Sequence, residues 1–128
     1  MANREPFSIR NRIRSFTHAF SGIWSFLKTE HNSWIHLAAA ITAAVMGFLL
    51  NISNGEWCLV LIAIGLVFIS EALNTAIEKM TDILSPGHNE NAKKIKDISA
   101  GAVLIAAMLA VAVGAVIFVP KMVAFSAH

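Results

Sequence analysis

Between Glu71 and Asp82 the chain reads Glu-Ala-Leu-Asn-Thr-Ala-Ile-Glu-Lys-Met-Thr-Asp, directly after a stretch, Trp57 to Ile69, that is almost wholly apolar. At about 100° per residue of α-helix, Glu71, Asn74, Thr75, Glu78 and Asp82 fall within an arc of about 100°. One helix face thus carries acids, an amide and a hydroxyl. An isolated carboxylate facing lipid costs several kcal/mol at least, so this stripe is expected to face other helices, water, a metal or a substrate. A helix that merely emerged into water would become polar all round, and the alignment on one face argues against that reading.

A second group of candidates follows shortly after: Lys93, Lys94, Lys96 and Asp97. Acids able to hold a divalent metal beside lysines able to hold phosphate are what phosphoryl transfer requires, because the protein's task there is to position reactants and neutralise charge. Mg²⁺ favours one or two carboxylates together with phosphate oxygens, and Glu30 and Glu78 are candidates for them. A carboxylate that meets an alcohol away from bulk water is well suited to take its proton. Glu71, deepest in the apolar run, is the candidate base. The chain has no GxxxxGK[ST] phosphate loop and no protein-kinase motif set, so neither common ATP-binding architecture is present.

The elements that must position these residues follow from the hydrophobic pattern. Residues 1–6 read as a short disordered leader. Over residues 8–28 arginines alternate with Ile9, Ile13, Phe16, Phe20, Ile23, Trp24 and Leu27 at spacings of three and four, which predicts an amphipathic helix lying in a membrane interface. After the polar junction from Lys28 to Ser33, where Asn32 or Ser33 is expected to cap the next helix, residues 34–50 form an uncharged run long enough for a first membrane span. His36 within it reads as a hydrogen-bonded packing residue. A tight polar turn is expected over residues 51–56, centred on Asn54-Gly55, then a second span over 56–84, and a loop fixed by Pro86-Gly87. A third span covers 92–119, with Pro120 expected to end it. Ala102, Ala106, Ala110 and Gly114 recur every four residues, a spacing that permits close helix contact in lipid.

Composition agrees with a membrane chain. Of 128 residues, 56% are hydrophobic and only 14% charged, and the mean hydropathy is +0.64, too apolar for a soluble domain of this size. The predicted fold is therefore a single all-α integral membrane domain. Its one cysteine, Cys58, excludes an intrachain disulfide or a cysteine metal site and is expected to pack. The first thirty residues hold no continuous apolar core, so no cleavable signal peptide is expected. The net charge of +2 and pI near 9.0 do not indicate nucleic acid, because the basic residues flank the apolar runs. They lie in the N-terminal segment and around the loop between spans two and three, with Lys121 alone on the other side. By the positive-inside rule the N-terminus, the acid stripe and the lysines face the cytoplasm, where ATP is found. Glu71, about 21 Å along the helix axis from Trp57, then lies near the headgroup level of that leaflet, a depth that suits a lipid hydroxyl.

The run Glu71-x-x-Asn74-Thr75-Ala76-Ile77-Glu78-x-x-x-Asp82, followed by Lys96-Asp97-x-Ser99-Ala100-x-Ala102-Val103, resembles the signature of the small prokaryotic diacylglycerol kinase family, which includes undecaprenol kinases; the resemblance extends from about Phe16 to Phe118. It implies a homotrimer in the cytoplasmic membrane, each subunit with a surface helix and three spans, using Mg²⁺ and ATP to phosphorylate a lipid alcohol at sites shared between subunits. Matched residue by residue, Glu71 resembles the catalytic base, Glu30 and Glu78 the metal- and ATP-contacting acids, and Lys96 with Asp97 the nucleotide-binding pair. Asn74 and Asp82 would order the site, Ser99 would lie with Glu71 at the substrate, and Pro86, Gly87 and His88 match a nucleotide-contacting loop whose spacing here is shifted. The family's N-terminal arginine aligns at Arg14 or Arg12. The segment from Lys28 to His36 looks more like the undecaprenol-using branch than the diacylglycerol-using one. Two readings of other classes compete: a small ion- or proton-coupled membrane protein carrying ions on Glu71 and Glu78, which leaves the neighbouring lysines unexplained, and a non-catalytic membrane scaffold.

Overall fold

The computed structural model describes residues 7–128; the leader expected over residues 1–6 lies outside the described residues. Four helices follow one another: α1 (Ile9–Thr29), α2 (His31–Leu49), α3 (Asn54–Leu84) and α4 (Glu90–Ser126). Among the described residues there is no strand. The last three helices are long and apolar enough to cross a membrane, and at about 1.5 Å per residue both α3 and α4 exceed a hydrocarbon core of about 30 Å. Their polar ends therefore project beyond the apolar layer, and the short loop 85–89 brings those ends side by side.

α3 and α4 form the main packing pair, with α2 set against α3. The row of small residues on α4 serves this packing in part: Ala106 is buried, Ala110 and Gly114 are half-buried, and Ala102 is exposed. The buried apolar cluster, Ile52, Val60, Ile117 and Phe118 with Trp57 and Met46 packed against it, lies around the α2–α3 turn, at the end of the bundle opposite the acid stripe. α1 buries none of its residues; Ile13, Phe16, Phe20 and Trp24 are all exposed, as an interfacial helix requires. Cys58, expected to pack, is instead exposed on α3.

Three boundaries differ from the sequence reading, each for a local reason. Neither Asn32 nor Ser33 caps α2: the helix begins at His31, Glu30 occupies the cap position in extended conformation, and no side chain caps it. Ser33 turns back instead, its hydroxyl 2.6 Å from the Glu30 carbonyl, and is almost fully buried at 1% exposure. The reversal between α2 and α3 falls at Asn51, whose φ of 51° is the left-handed conformation asparagine tolerates. Asn54-Gly55 lies inside α3, because Ser53 and Glu56 form a reciprocal capping box that starts the helix earlier. Finally, Pro120 does not end α4, which continues to Ser126. Proline removes only one backbone donor, and Lys121, the next residue, reaches Glu56 at 3.3 Å and ties the continuing helix to the start of α3.

Gly47 is where α2 meets the ring of Trp57. A Cβ there would lie 2.7 Å from the indole, whereas one at Gly22 would meet nothing within 4 Å. Gly47→Ala should lower stability by about 1–3 kcal/mol, and Gly22→Ala should be neutral or mildly stabilising. Denaturation of the two variants in detergent micelles checks this; equal stabilities would contradict the close ring contact.

Candidate active site

The acid stripe of α3 faces both of its neighbours. Glu71 is buried, with 5% exposure, and its Oε1 lies 2.9 Å from His36 Nε2 on α2. A carboxylate can only accept, so the imidazole donates here when Glu71 is ionised. One turn further on the contacts pass to α4. Ser99, also buried, donates from its hydroxyl to Asn74 Oδ1 at 2.6 Å, and the Asn74 amide nitrogen lies 3.5 Å from Glu78 Oε1. A hydroxyl, an amide and a carboxylate thus form a short chain leading outward from the α3–α4 seam. At the end of the stripe Asp82 forms an ion pair with Lys96. From Glu71 to Asp82 the groups span about 16 Å along the helix axis.

Asp97, predicted to act beside Lys96, does not join it. Adjacent positions on a helix point about 100° apart, and Asp97 pairs instead with Lys93 one turn back at 2.8 Å, both side chains being exposed. Lys96 lines a polar cavity of about 320 Å³ together with Asp82, Pro86, Gly87, His88 and Lys93. The loop and the lysine predicted to contact nucleotide therefore share one cavity, set by the N-terminus of α4, where Asn89 caps the backbone amides of Asn91 and Ala92.

Glu30 sits at the break between α1 and α2, its carboxylate 3.9 Å from Lys79 Nζ. It has no hydrogen bond to Glu78 in this chain, and among the described residues no group of three His, Cys, Asp or Glu side chains is placed to hold a metal. Two partly exposed carboxylates remain a hard-oxygen donor set of the kind Mg²⁺ takes together with phosphate and water. Arg14 lies apart from all of these, beside a cavity on α1 with Arg10, Asn11 and Ile13.

Next to the stripe, on the adjoining face of α3, Phe68, Ala72, Thr75 and Lys79 line a cavity of about 650 Å³ closed by Ile23 and Phe26 of α1. It is apolar almost throughout. Phe68 in its wall meets the His36 ring edge-on, with centroids 6.4 Å apart, so the imidazole that bonds Glu71 stands against a residue of this wall. Sequence reasoning missed the partnership. His36 was read as a hydrogen-bonded packing residue, and its bond goes to the candidate base; the available signal was an imidazole in an otherwise uncharged span. Nothing in the sequence pointed to the contact of Lys79 with Glu30.

Residues 17–118 match the model of the prokaryotic diacylglycerol kinase family. The chain belongs to that family. Its members are lipid kinases, and with three spanning helices this chain is a multi-pass membrane protein of that class. It is 42% identical over 110 residues to an undecaprenol kinase of Bacillus subtilis, covering 86% of this chain and 89% of that one. It is 34% identical over 113 residues to a diacylglycerol kinase of Synechocystis sp., covering 88% of this chain and 65% of that protein's length.

The Ser99–Asn74 bond is short, partly buried and interhelical, so it should stabilise the packing of α3 on α4. A double-mutant cycle of Ser99→Ala and Asn74→Ala, read by unfolding in detergent, should give a coupling of about 1 kcal/mol. Strict additivity would mean that the two side chains act independently.

Proposed function

We propose that this lipid kinase transfers the terminal phosphoryl group of Mg-ATP to the hydroxyl of a membrane lipid alcohol, undecaprenol before diacylglycerol, at the cytoplasmic face of the cell membrane. The observation that carries the reading is the juxtaposition of a buried carboxylate, Glu71, with a large apolar cavity on one side and a lysine-bearing polar cavity further along the same stripe. The first suits a lipid chain that ends in a hydroxyl; the second suits a polyphosphate.

In the proposed step the lipid hydroxyl oxygen bonds to the γ-phosphorus as the bond to the β-phosphate oxygen breaks. Glu71 takes the hydroxyl proton, and ADP and the lipid phosphate leave. Lys96 and the loop Pro86, Gly87 and His88 would hold the phosphates, Asp82 orients Lys96, and Asn74 with Ser99 orders the stripe between base and nucleotide. Glu30 and Glu78 would hold Mg²⁺, which neutralises phosphate charge when bound. Asp97 and Arg14 are assigned to ligand by resemblance alone.

A homotrimer with sites shared between subunits is part of the proposal. It is supported by the many large apolar side chains exposed along α2, α3 and α4. The preference for undecaprenol is supported by the identity to the Bacillus protein across most of its length. The ion-carrier reading loses ground because Glu71 is hydrogen-bonded to His36 within the fold and because it gives no role to the lysine-bearing cavity at the end of the stripe.

Purified protein in mixed micelles, offered undecaprenol and diacylglycerol in competition with ATP labelled at the γ-phosphate, should put most label into undecaprenyl phosphate. Label mainly in phosphatidic acid would reverse the substrate order, and no labelled lipid would end the kinase reading. Glu71→Gln should reduce turnover by about 10²–10⁴-fold with nucleotide binding retained, while Lys121→Ala at the opposite end should leave turnover unchanged. Glu78→Gln should raise the Mg²⁺ concentration needed for half-maximal turnover or abolish activity; an unchanged Mg²⁺ dependence would remove Glu78 from the metal site.

A further inference from the structure

The bond between His36 and Glu71 joins α2 to α3 at 2.9 Å, and it engages only one of the two carboxylate oxygens. Among the described residues Oε2 of Glu71 has no protein partner, yet no buried side-chain polar atom there lacks one. Oε2 therefore reaches the surface of the chain while Oε1 is held inside it. The His36 ring is fixed in turn by the edge-on contact with Phe68 at 74°, a residue of the apolar cavity wall. The other charged groups nearby are engaged elsewhere: Lys79 with Glu30, Lys96 with Asp82 and Lys93 with Asp97.

We propose that His36 is a positioning residue for the lipid kinase reaction: its Nε2–H pins Oε1 of Glu71 so that Oε2 is presented to the acceptor hydroxyl at the edge of the apolar cavity. This rests on the reading of Glu71 as the base. A glutamate has three side-chain torsions, and among the described residues the bond to His36 is the one side-chain hydrogen bond that orients this carboxylate. A carboxylate free to swing would meet the hydroxyl in the right geometry only part of the time, and displacement of a reacting group by about 1 Å is able to cost about 10²-fold in rate. The proton taken from the lipid hydroxyl ends on Oε2, the hydroxyl oxygen forms its bond to phosphorus, and the His36 proton stays on Nε2 throughout. The imidazole thus acts through Glu71 and touches neither reactant.

The test uses the full-length protein in lipid nanodiscs with undecaprenol and ATP, measuring kcat and KM for each substrate. His36→Leu, which keeps the bulk and removes the donor, should lower kcat by about 10–100-fold with KM for ATP changed less than about threefold. His36→Gln, whose amide N–H is able to reach the same oxygen, should recover at least about tenfold of the kcat lost in His36→Leu. In a Glu71→Gln background, His36→Leu should cause little further loss, because the group it positions is already disabled. Wild-type kcat in His36→Leu, a loss that His36→Gln fails to rescue, or a full multiplicative loss in the double variant would each overturn the positioning role while leaving the kinase reading intact. Normal turnover in Glu71→Gln alone would overturn the base assignment and this proposal with it.

Discussion

The cost of carrying a carboxylate on an apolar helix governs this molecule. Glu71 follows the almost wholly apolar run from Trp57 to Ile69, and a charge there facing hydrocarbon would be worth several kcal/mol of destabilisation. The fold meets that constraint with one hydrogen-bonding partner, His36, brought from another helix. Everything needed for that contact is architectural: α2 must lie against α3 in a fixed register, and α1 must turn away at Glu30 so that α2 starts at the right height. Ser33, almost fully buried and bonded to the Glu30 carbonyl, secures that turn.

Further along the stripe the same constraint is met differently. Asn74 and Ser99 satisfy one another across the α3–α4 seam, and Asp82 and Lys96 do so with opposite charges where the helices have left the apolar layer. Of these two the neutral pair lies deeper and the ionic pair shallower, the order that desolvation imposes, since an ion pair loses more on leaving water than a hydroxyl and an amide do. The opposite end of the bundle carries the apolar cluster and the Glu56–Lys121 tie. Apolar packing is thus concentrated away from the stripe, and two cavities lie beside it.

Much of this was legible in the sequence. The helices and the single-face alignment of Glu71, Asn74, Glu78 and Asp82 follow from hydrophobic period and helical geometry, and the meeting of the stripe with the basic start of α4 follows from the short loop at Pro86-Gly87. Local competition between signals explains the misses. Asn54-Gly55 is a strong turn signal, but the capping box of Ser53 and Glu56 lies one residue earlier and prevailed. Pro120 reads as a stop, but in a long apolar helix one missing donor does not outweigh continued packing. The partner of Glu71 was hidden for a different reason: a contact between residues 35 positions apart depends on the register of two helices, which no periodicity within either helix encodes.

That register also bears on how two dissimilar reactants would be kept in order. The face of α3 lining the apolar cavity and the face carrying the stripe are adjacent, with Thr75 common to both. A lipid alcohol approaching from the bilayer side and a polyphosphate approaching from the α4 side would therefore meet along one helix, without either crossing the other's path. The two approaches differ in dielectric as well as direction. The cavity beside α1 is apolar and suits a hydrocarbon chain, whereas the cavity at Lys96 is polar and suits a highly charged ligand. A single amphipathic change along α3, from apolar wall to acid stripe, is enough to create both environments.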